Sequence, residues 1–344
     1  MPSLAHIKAS NASFTLPSTT PVAVLVGGSG GIGAAVAEAL ARYANGNVHI
    51  IIVARNEEAS RKVLQTCVGP LSSESSTPVI REFVECDYSL VESTRSAVQA
   101  VAGLLKDRAS TGIIDYLVFS SNFVSLENKR NDTEEGHDYQ LRVRYYHRFQ
   151  MTCALAGLGL LGDGSRVLTI LGAGKKGVKV EVKGEDFEFR ESEVGSGKLG
   201  AVVSTVYTDI GFKVSRFFLV SSFRMLTSYG VKEFATRNPT IGVTHMHPGF
   251  VRTGLITNIL DGIRKKAIVG PLLYFLANAV VAGVTIQPEE SAEYMIYALF
   301  NGKGGDGTFY RRDRVGDDIK EVVNHEGVDP EKLYEHSLKV TEVA

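Results

Sequence analysis

The feature that most constrains this chain is a glycine-rich turn between two short patterned runs. Pro21 to Val26 reads PVAVLV, a β-branched apolar run, and Ala34 to Tyr43 reads AAVAEALARY, with helical spacing and strong helix formers. Between them lies Gly27-Gly28-Ser29-Gly30-Gly31-Ile32-Gly33. Strand, glycine turn and helix in that order is the context a dinucleotide fingerprint requires. Each glycine has a mechanical task. Gly27 permits the tight turn out of the strand, Gly31 lets the backbone approach a pyrophosphate, and Gly33 lets the helix pack on the sheet. The helix start then offers unpaired N–H groups and a positive dipole end to phosphate.

The pattern continues along the chain. Strand-like runs fall at Val48 to Val53, Val79 to Cys86, Ile113 to Ser120, Arg166 to Leu171, Ile241 to Met246 and Gly307 to Arg312. Helix-like runs fall at Glu57 to Cys67, Val91 to Lys106, Tyr139 to Leu158, Thr205 to Arg237 and Pro288 to Asn301. Alternation of this kind predicts an α/β fold, a doubly wound parallel sheet of about seven strands covered on both faces. No internal repeat or linker interrupts it, so residues 21–344 read as one domain behind a polar N-terminal arm, 1–20.

Composition removes several classes of function. The formal net charge is −1, without the basic excess that nucleic acid demands. The cysteines, Cys67, Cys86 and Cys153, are odd in number and fit no metal spacing, which points to a reducing, cytoplasmic setting. The start of the chain lacks the basic and apolar regions of a secretory signal. His245 and His247 share one strand face, but no third ligand accompanies them, so no metal is expected. Ala267 to Ile286 carries no charge but is broken by Gly270, Pro271, Asn278 and Gly283. Its first reading is an apolar helical lid within about 254–287, which implies an apolar small-molecule substrate. Weak membrane association through 267–286 is the second reading and a true span the third. Phe212, Phe217, Phe218 and Phe223 crowd the long helix and fit a homodimer face or a deep core equally.

The end of the second strand distinguishes the cofactors. An NAD site places a carboxylate there for the ribose 2′-hydroxyl. This chain has Val53-Ala54-Arg55-Asn56, and a guanidinium at that point matches the 2′-phosphate of NADP(H). The competing readings are a surface arginine capping the loop, and NAD held through nearby Glu57.

These motifs resemble the short-chain dehydrogenase/reductase superfamily over roughly Val22 to Tyr310. The Gly27 to Gly33 turn corresponds to the family's Thr-Gly-x-x-x-Gly-Ile-Gly, which puts Ser29 and Ile32 beside the cofactor with the glycines. Cys86-Asp87 is similar to the acidic position that meets the adenine amine. Phe119-Ser120-Ser121-Asn122 stands where the family has Asn-Asn-Ala-Gly. Pro248-Gly249-Phe250-Val251-Arg252-Thr253 resembles the segment lining the nicotinamide, which implicates Pro248, Gly249, Val251 and Thr253. The Arg144-Tyr145-Tyr146 string is similar to a divergent fungal group often associated with secondary metabolism.

The family's catalytic residues do not carry over. Its Asn position falls at Arg144, its Ser at Gly172, its Tyr near Arg216 and its Lys near Val220. Replacement candidates are Arg144 and Lys175 as electrostatic support for an oxyanion, and Tyr207 as an acid. Lys176, Tyr145 and Tyr146 are further candidates, though buried tyrosines more often serve packing. The resemblance therefore implies an NADP(H)-dependent oxidoreductase, reducing a carbonyl or a conjugated alkene, with a non-standard active site. The alternatives are a non-redox isomerase or cyclase on the same scaffold, and a protein that senses NADP(H).

Overall fold

The computed structural model describes residues 2–17, 20–70, 78–108, 112–123, 130–171, 186–188, 190, 241–254, 257, 281, 283, 285–302, 309–319 and 330–343. Its strands are β1 (Val22–Val26), β2 (His49–Ala54), β3 (Arg81–Glu85), β4 (Tyr116–Phe119), β5 (Arg166–Ile170), β6 (Gly242–Met246) and β7 (Phe309–Arg312). They form one sheet in the order β3-β2-β1-β4-β5-β6-β7, and every neighbouring pair is parallel. The expected doubly wound Rossmann sheet of about seven strands is what the chain builds.

The apolar runs are continuous because both sheet faces are covered. On one face Ala23, Leu25, Ile50, Ile52 and Val118 pack with Val36 and Leu40 of α2 (Gly31–Tyr43) and Met295 and Leu299 of α7 (Pro288–Phe300). On the other, Val22, Val24, Val26, Ile51, Val53 and Leu117 meet Val98, Val101 and Leu105 of α4 (Val91–Arg108) and Met151 and Leu155 of α6 (His147–Gly157). Alternate residues of each strand serve opposite cores, as period-2 geometry requires. The helix after β2, α3 (Glu57–Thr66), is capped by Asn56, whose side chain accepts from the Ala59 N–H at 2.9 Å.

Two segments depart from the sequence reading. The first is the polar arm, which contains a helix, α1 (Leu4–Ala12), that docks on the domain through buried Ile7 and Asn11. Asn11 donates to the Glu293 carbonyl at 2.9 Å and to Glu293 Oε2 at 3.1 Å. Glu293 also accepts from Arg42 Nη2 at 2.6 Å and Tyr43 Oη at 2.5 Å. One buried carboxylate thus ties three helices, and a sparse apolar pattern concealed it. Glu293→Ala leaves three donors without their acceptor, which costs about 3 kcal/mol and lowers the melting temperature by several degrees. A melting curve that overlays the wild type would exclude this role.

The second is the helix expected over Tyr139 to Leu158. It begins as one turn, α5 (Tyr139–Leu141), passes through a π turn (Arg142–Tyr146) and resumes as α6. The His147 N–H bonds five residues back to the Arg142 carbonyl, and His147 Nδ1 lies 2.9 Å from the same oxygen. Such turns insert one residue and are frequent at functional sites. A C-terminal helix, α8 (Pro330–Thr341), covers this region. Tyr145 bonds Ser337 there at 2.8 Å and Tyr146 bonds His336 at 3.0 Å. Both candidate tyrosines are therefore fully buried packing residues against α8. Among the described residues no helix is long and apolar enough to cross a membrane.

Candidate nucleotide-binding site

The chain order reverses between β1 and β4, and a cleft forms at the carboxyl ends of parallel strands at such a switch point. The glycine turn leaves β1 at that place. Gly27 has φ +90°, and a Cβ added to it would lie 2.4 Å from the Ser121 nitrogen at the exit of β4. Gly31 has φ +55°, and its Cβ would lie 3.0 Å from Thr253 Cγ2, so the segment after β6 reaches the turn. Gly33 allows α2 to close on the turn, since a Cβ there would sit 2.4 Å from the Gly27 carbonyl oxygen. The tight turn assigned to Gly27 and the close packing assigned to Gly33 match these contacts. No side chain caps α2 at Gly30 and no acid stands in its first turn, so its N-terminal N–H groups suit phosphate.

Arg55 and Asp87 stand at the exits of β2 and β3. Arg55 is exposed, and its Nη1 donates to Tyr139 Oη at 3.1 Å. Among the described residues no carboxylate pairs with it, and Glu57 is turned to Arg61 at 2.7 Å. Asp87 accepts through Oδ1 from the Ser89 N–H at 2.9 Å and hydroxyl at 2.7 Å, which fixes the carboxylate at the β3 exit. Asn122 is exposed, with its side-chain oxygen accepting from the Phe123 N–H at 2.8 Å. Beyond β6, Gly249 (φ +72°) lies against Arg314, while Val251 bridges Ile286 in parallel register. Pro248 and Gly249 thereby turn the chain so that Thr253 meets Gly31.

The floor of the cleft holds residues that pattern reading missed. Ser121 Oγ lies 2.8 Å from His147 Nε2. A carbonyl accepts, so Nδ1 facing the Arg142 oxygen carries the imidazole proton. Nε2 is then the acceptor and Ser121 donates to it. Burial, with the Arg148 guanidinium next in importance, holds the His147 pKa well below its usual value and the ring neutral. Arg148 is fully buried, donates to Thr169 Oγ1 at 3.0 Å and to the Ser121 carbonyl, and forms no ion pair among the described residues. Burial lowers its pKa to about 9. Arg144 reaches the Phe123 carbonyl through Nε at 2.9 Å and Nη2 at 2.5 Å. Spaced four apart on the helix, Arg144 and Arg148 hold the carbonyls of Phe123 and Ser121, on either side of Asn122. The sequence reading had Arg144 projecting toward substrate; these bonds make it a positioning residue for the β4 exit.

Lys175 and Tyr207 lie outside the described residues, as do Gly172, Lys176, Arg216, Val220, the phenylalanines of the long helix and most of 254–287. His245 is a fully buried β6 residue paired in register with Thr169. The three cysteines are buried free thiols. The signal for the missed floor was the run of polar residues Arg142, Arg144, His147, Arg148 and Gln150 along one helical stretch.

No family model matches the chain. Among curated proteins it is similar to oxidoreductase AN1596 of Emericella nidulans, with 30% identity over 260 residues. That match covers 75% of this chain and 66% of the relative, so the chain spans just under two thirds of that protein. Oxidoreductase andH of Emericella variicolor is 28% identical over 300 residues, covering 86% of this chain and 74% of the relative. Among solved structures, the L-sorbose reductase of Gluconobacter frateurii, complexed with NADPH and L-sorbose, superposes with a TM-score of 0.52 at 18% identity. The superposition covers 88% of this chain and 98% of the reductase, and at that identity it speaks for the fold.

Proposed function

We propose that the chain is a divergent fungal-type member of the short-chain dehydrogenase/reductase superfamily with a Rossmann fold, and an NADP(H)-dependent oxidoreductase. One observation carries the choice of cofactor. Arg55 stands at the β2 exit, exposed and without an acidic partner among the described residues, beside a glycine turn whose helix start is uncapped. That donor set suits a dinucleotide with a third phosphate. Gly27, Ser29, Gly31, Ile32 and Gly33 would line the pyrophosphate, Asp87 the adenine, and Asn122, Pro248, Gly249, Val251 and Thr253 the nicotinamide half. When bound, the cofactor supplies hydride.

The chain's own part is to orient the acceptor and support the oxygen that gains charge. Arg144 and Arg148 fix the β4 exit by its carbonyls, and Arg148 adds a buried positive charge with no counter-ion among the described residues. A fixed cation in a low-dielectric floor favours an alkoxide or enolate nearby. Lys175 and Tyr207 remain the candidates for further charge support and for returning the proton. We take the substrate to be an apolar small molecule bearing a carbonyl or a conjugated alkene, on the strength of the uncharged 267–286 segment.

The test is a fluorescence titration of the purified protein with NADPH and with NADH, followed by NADPH consumption over a panel of apolar ketones and enones. Tight NADPH binding, weak NADH binding and turnover with consumption are the expected results. Binding without consumption across the panel would favour the non-redox or sensing alternatives. Failure to bind either nucleotide would defeat the reading.

A further inference from the structure

We propose that Tyr139 is a second partner of the nucleotide's 2′-phosphate, and with Arg55 determines cofactor choice; this rests on the NADP(H) reading above. Arg55 and Tyr139 are 84 residues apart in sequence yet meet at 3.1 Å. Their meeting point spans the site. Arg55 follows β2, the glycine turn follows β1, and Phe123, against which Tyr139 packs, follows β4, with β1 between the other two strands. The Arg55–Tyr139–Phe123 chain therefore runs alongside the glycine turn, at the β2 side where the adenosine ribose of a dinucleotide lies in this fold class.

Tyr139 is held firmly. Its ring sits edge-on to Phe123 with centroids 4.6 Å apart and planes at 66°. Phe123 is fixed in turn by Arg144 at its carbonyl. Tyr139 also opens α5, whose first turn is capped by Asp138 accepting from Gln140 N–H at 2.9 Å and Leu141 N–H at 3.0 Å. Only the hydroxyl end faces Arg55.

Hydrogen-bond accounting then selects the ligand. Tyr139 Oη accepts from Arg55 Nη1, and its own O–H is not spent on any described residue. Arg55 spends one of its five N–H groups on that bond. The pair thus presents an O–H and several N–H donors, with a formal positive charge, at one place. A phosphate dianion only accepts, and it matches both partners at once. A ribose 2′-hydroxyl gains no comparable charge-assisted bond. A guanidinium bonded to the phenol oxygen also polarises the O–H into a better donor.

The experiment uses the full chain with Tyr139→Phe, which keeps the ring against Phe123 and removes only the hydroxyl. Titrations with NADPH and NADH, and competition by adenosine 2′,5′-bisphosphate, are compared with wild type. The expected result is about a tenfold rise in the NADPH Kd, a similar loss for the bisphosphate, and an NADH Kd changed less than about twofold, with the melting temperature retained. Full NADPH preference in Tyr139→Phe, where wild type prefers NADPH, overturns this proposal and leaves the NADP(H) reading standing. A wild type that binds both nucleotides alike overturns both.

Discussion

Gly27→Ala is expected to remove nucleotide binding and to destabilise the domain by about 3 kcal/mol or more. Two independent costs act at this position. The backbone has φ +90°, which a residue with a Cβ adopts only with strain. The added Cβ would also lie 2.4 Å from the Ser121 nitrogen, 2.8 Å from its Cα and 2.9 Å from the Ser120 carbonyl carbon. All three are backbone atoms, so no rotamer change relieves the clash. Relief requires β1 and β4 to separate at their exits, and that shifts Ser121, whose carbonyl Arg148 holds and whose hydroxyl is bonded to His147. The damage therefore spreads from the turn into the floor. Gly30→Ala is the matched control, because Gly30 has extended backbone (φ 178°) and a Cβ there meets nothing within 4 Å. Its cost stays within about 1 kcal/mol, the difference between two weak N-caps. Urea unfolding of both variants, with NADPH titration of Gly27→Ala, decides the matter. Equal stability of the two would show that the β1–β4 approach is not as tight as described.

The second large effect is at Arg55. Arg55→Glu is expected to weaken NADPH binding by about 100-fold, because an ion pair with the 2′-phosphate is replaced by repulsion between like charges. NADH binding is expected to hold or improve, since a carboxylate at this strand end accepts from a free 2′-hydroxyl. The opposite directions matter more than either magnitude. General damage to the fold would weaken both nucleotides together, and Arg55 is exposed, so its replacement disturbs no core. Losses of equal size for NADPH and NADH would remove Arg55 as the phosphate partner and leave it as a surface residue. Salt gives a second check: the wild-type preference for NADPH falls as ionic strength rises, because the contact is solvent-exposed.

Much of the fold was legible because its signals are local. The continuous run at β2 reports burial on both faces, and all six residues from His49 to Ala54 are buried. Strand ends were read to within three residues, since each run is bounded by turn residues. The rim was legible for a similar reason. Arg55, Asp87 and the turn glycines each follow directly from a strand end, and a parallel sheet places all such ends on one side.

Other features had no local signal. The N-terminal arm looked polar because α1 has only two large apolar residues, Leu4 and Ile7, yet buried Ile7 and Asn11, the latter bonding a carboxylate 282 positions away, dock it. The π turn leaves no mark in periodicity, because a single inserted residue shifts the phase of a helix without breaking it. Tyr145 and Tyr146 were candidate acids for which packing was the favoured reading, and α8, which no sequence signal had placed over them, covers both.

By itself, then, the sequence determined the alternation of strands and helices, the glycine turn between β1 and α2, and the charge at the β2 exit. These depend on backbone conformation and on residues next to one another in the chain. The tertiary structure alone decided that Ser121 meets His147, that buried Arg148 holds the Ser121 carbonyl, and that Arg55 meets Tyr139. Those pairings join different strands and helices. Their energies come from burial and from the loss of water around polar groups, and both depend on which surfaces pack together once the sheet has formed.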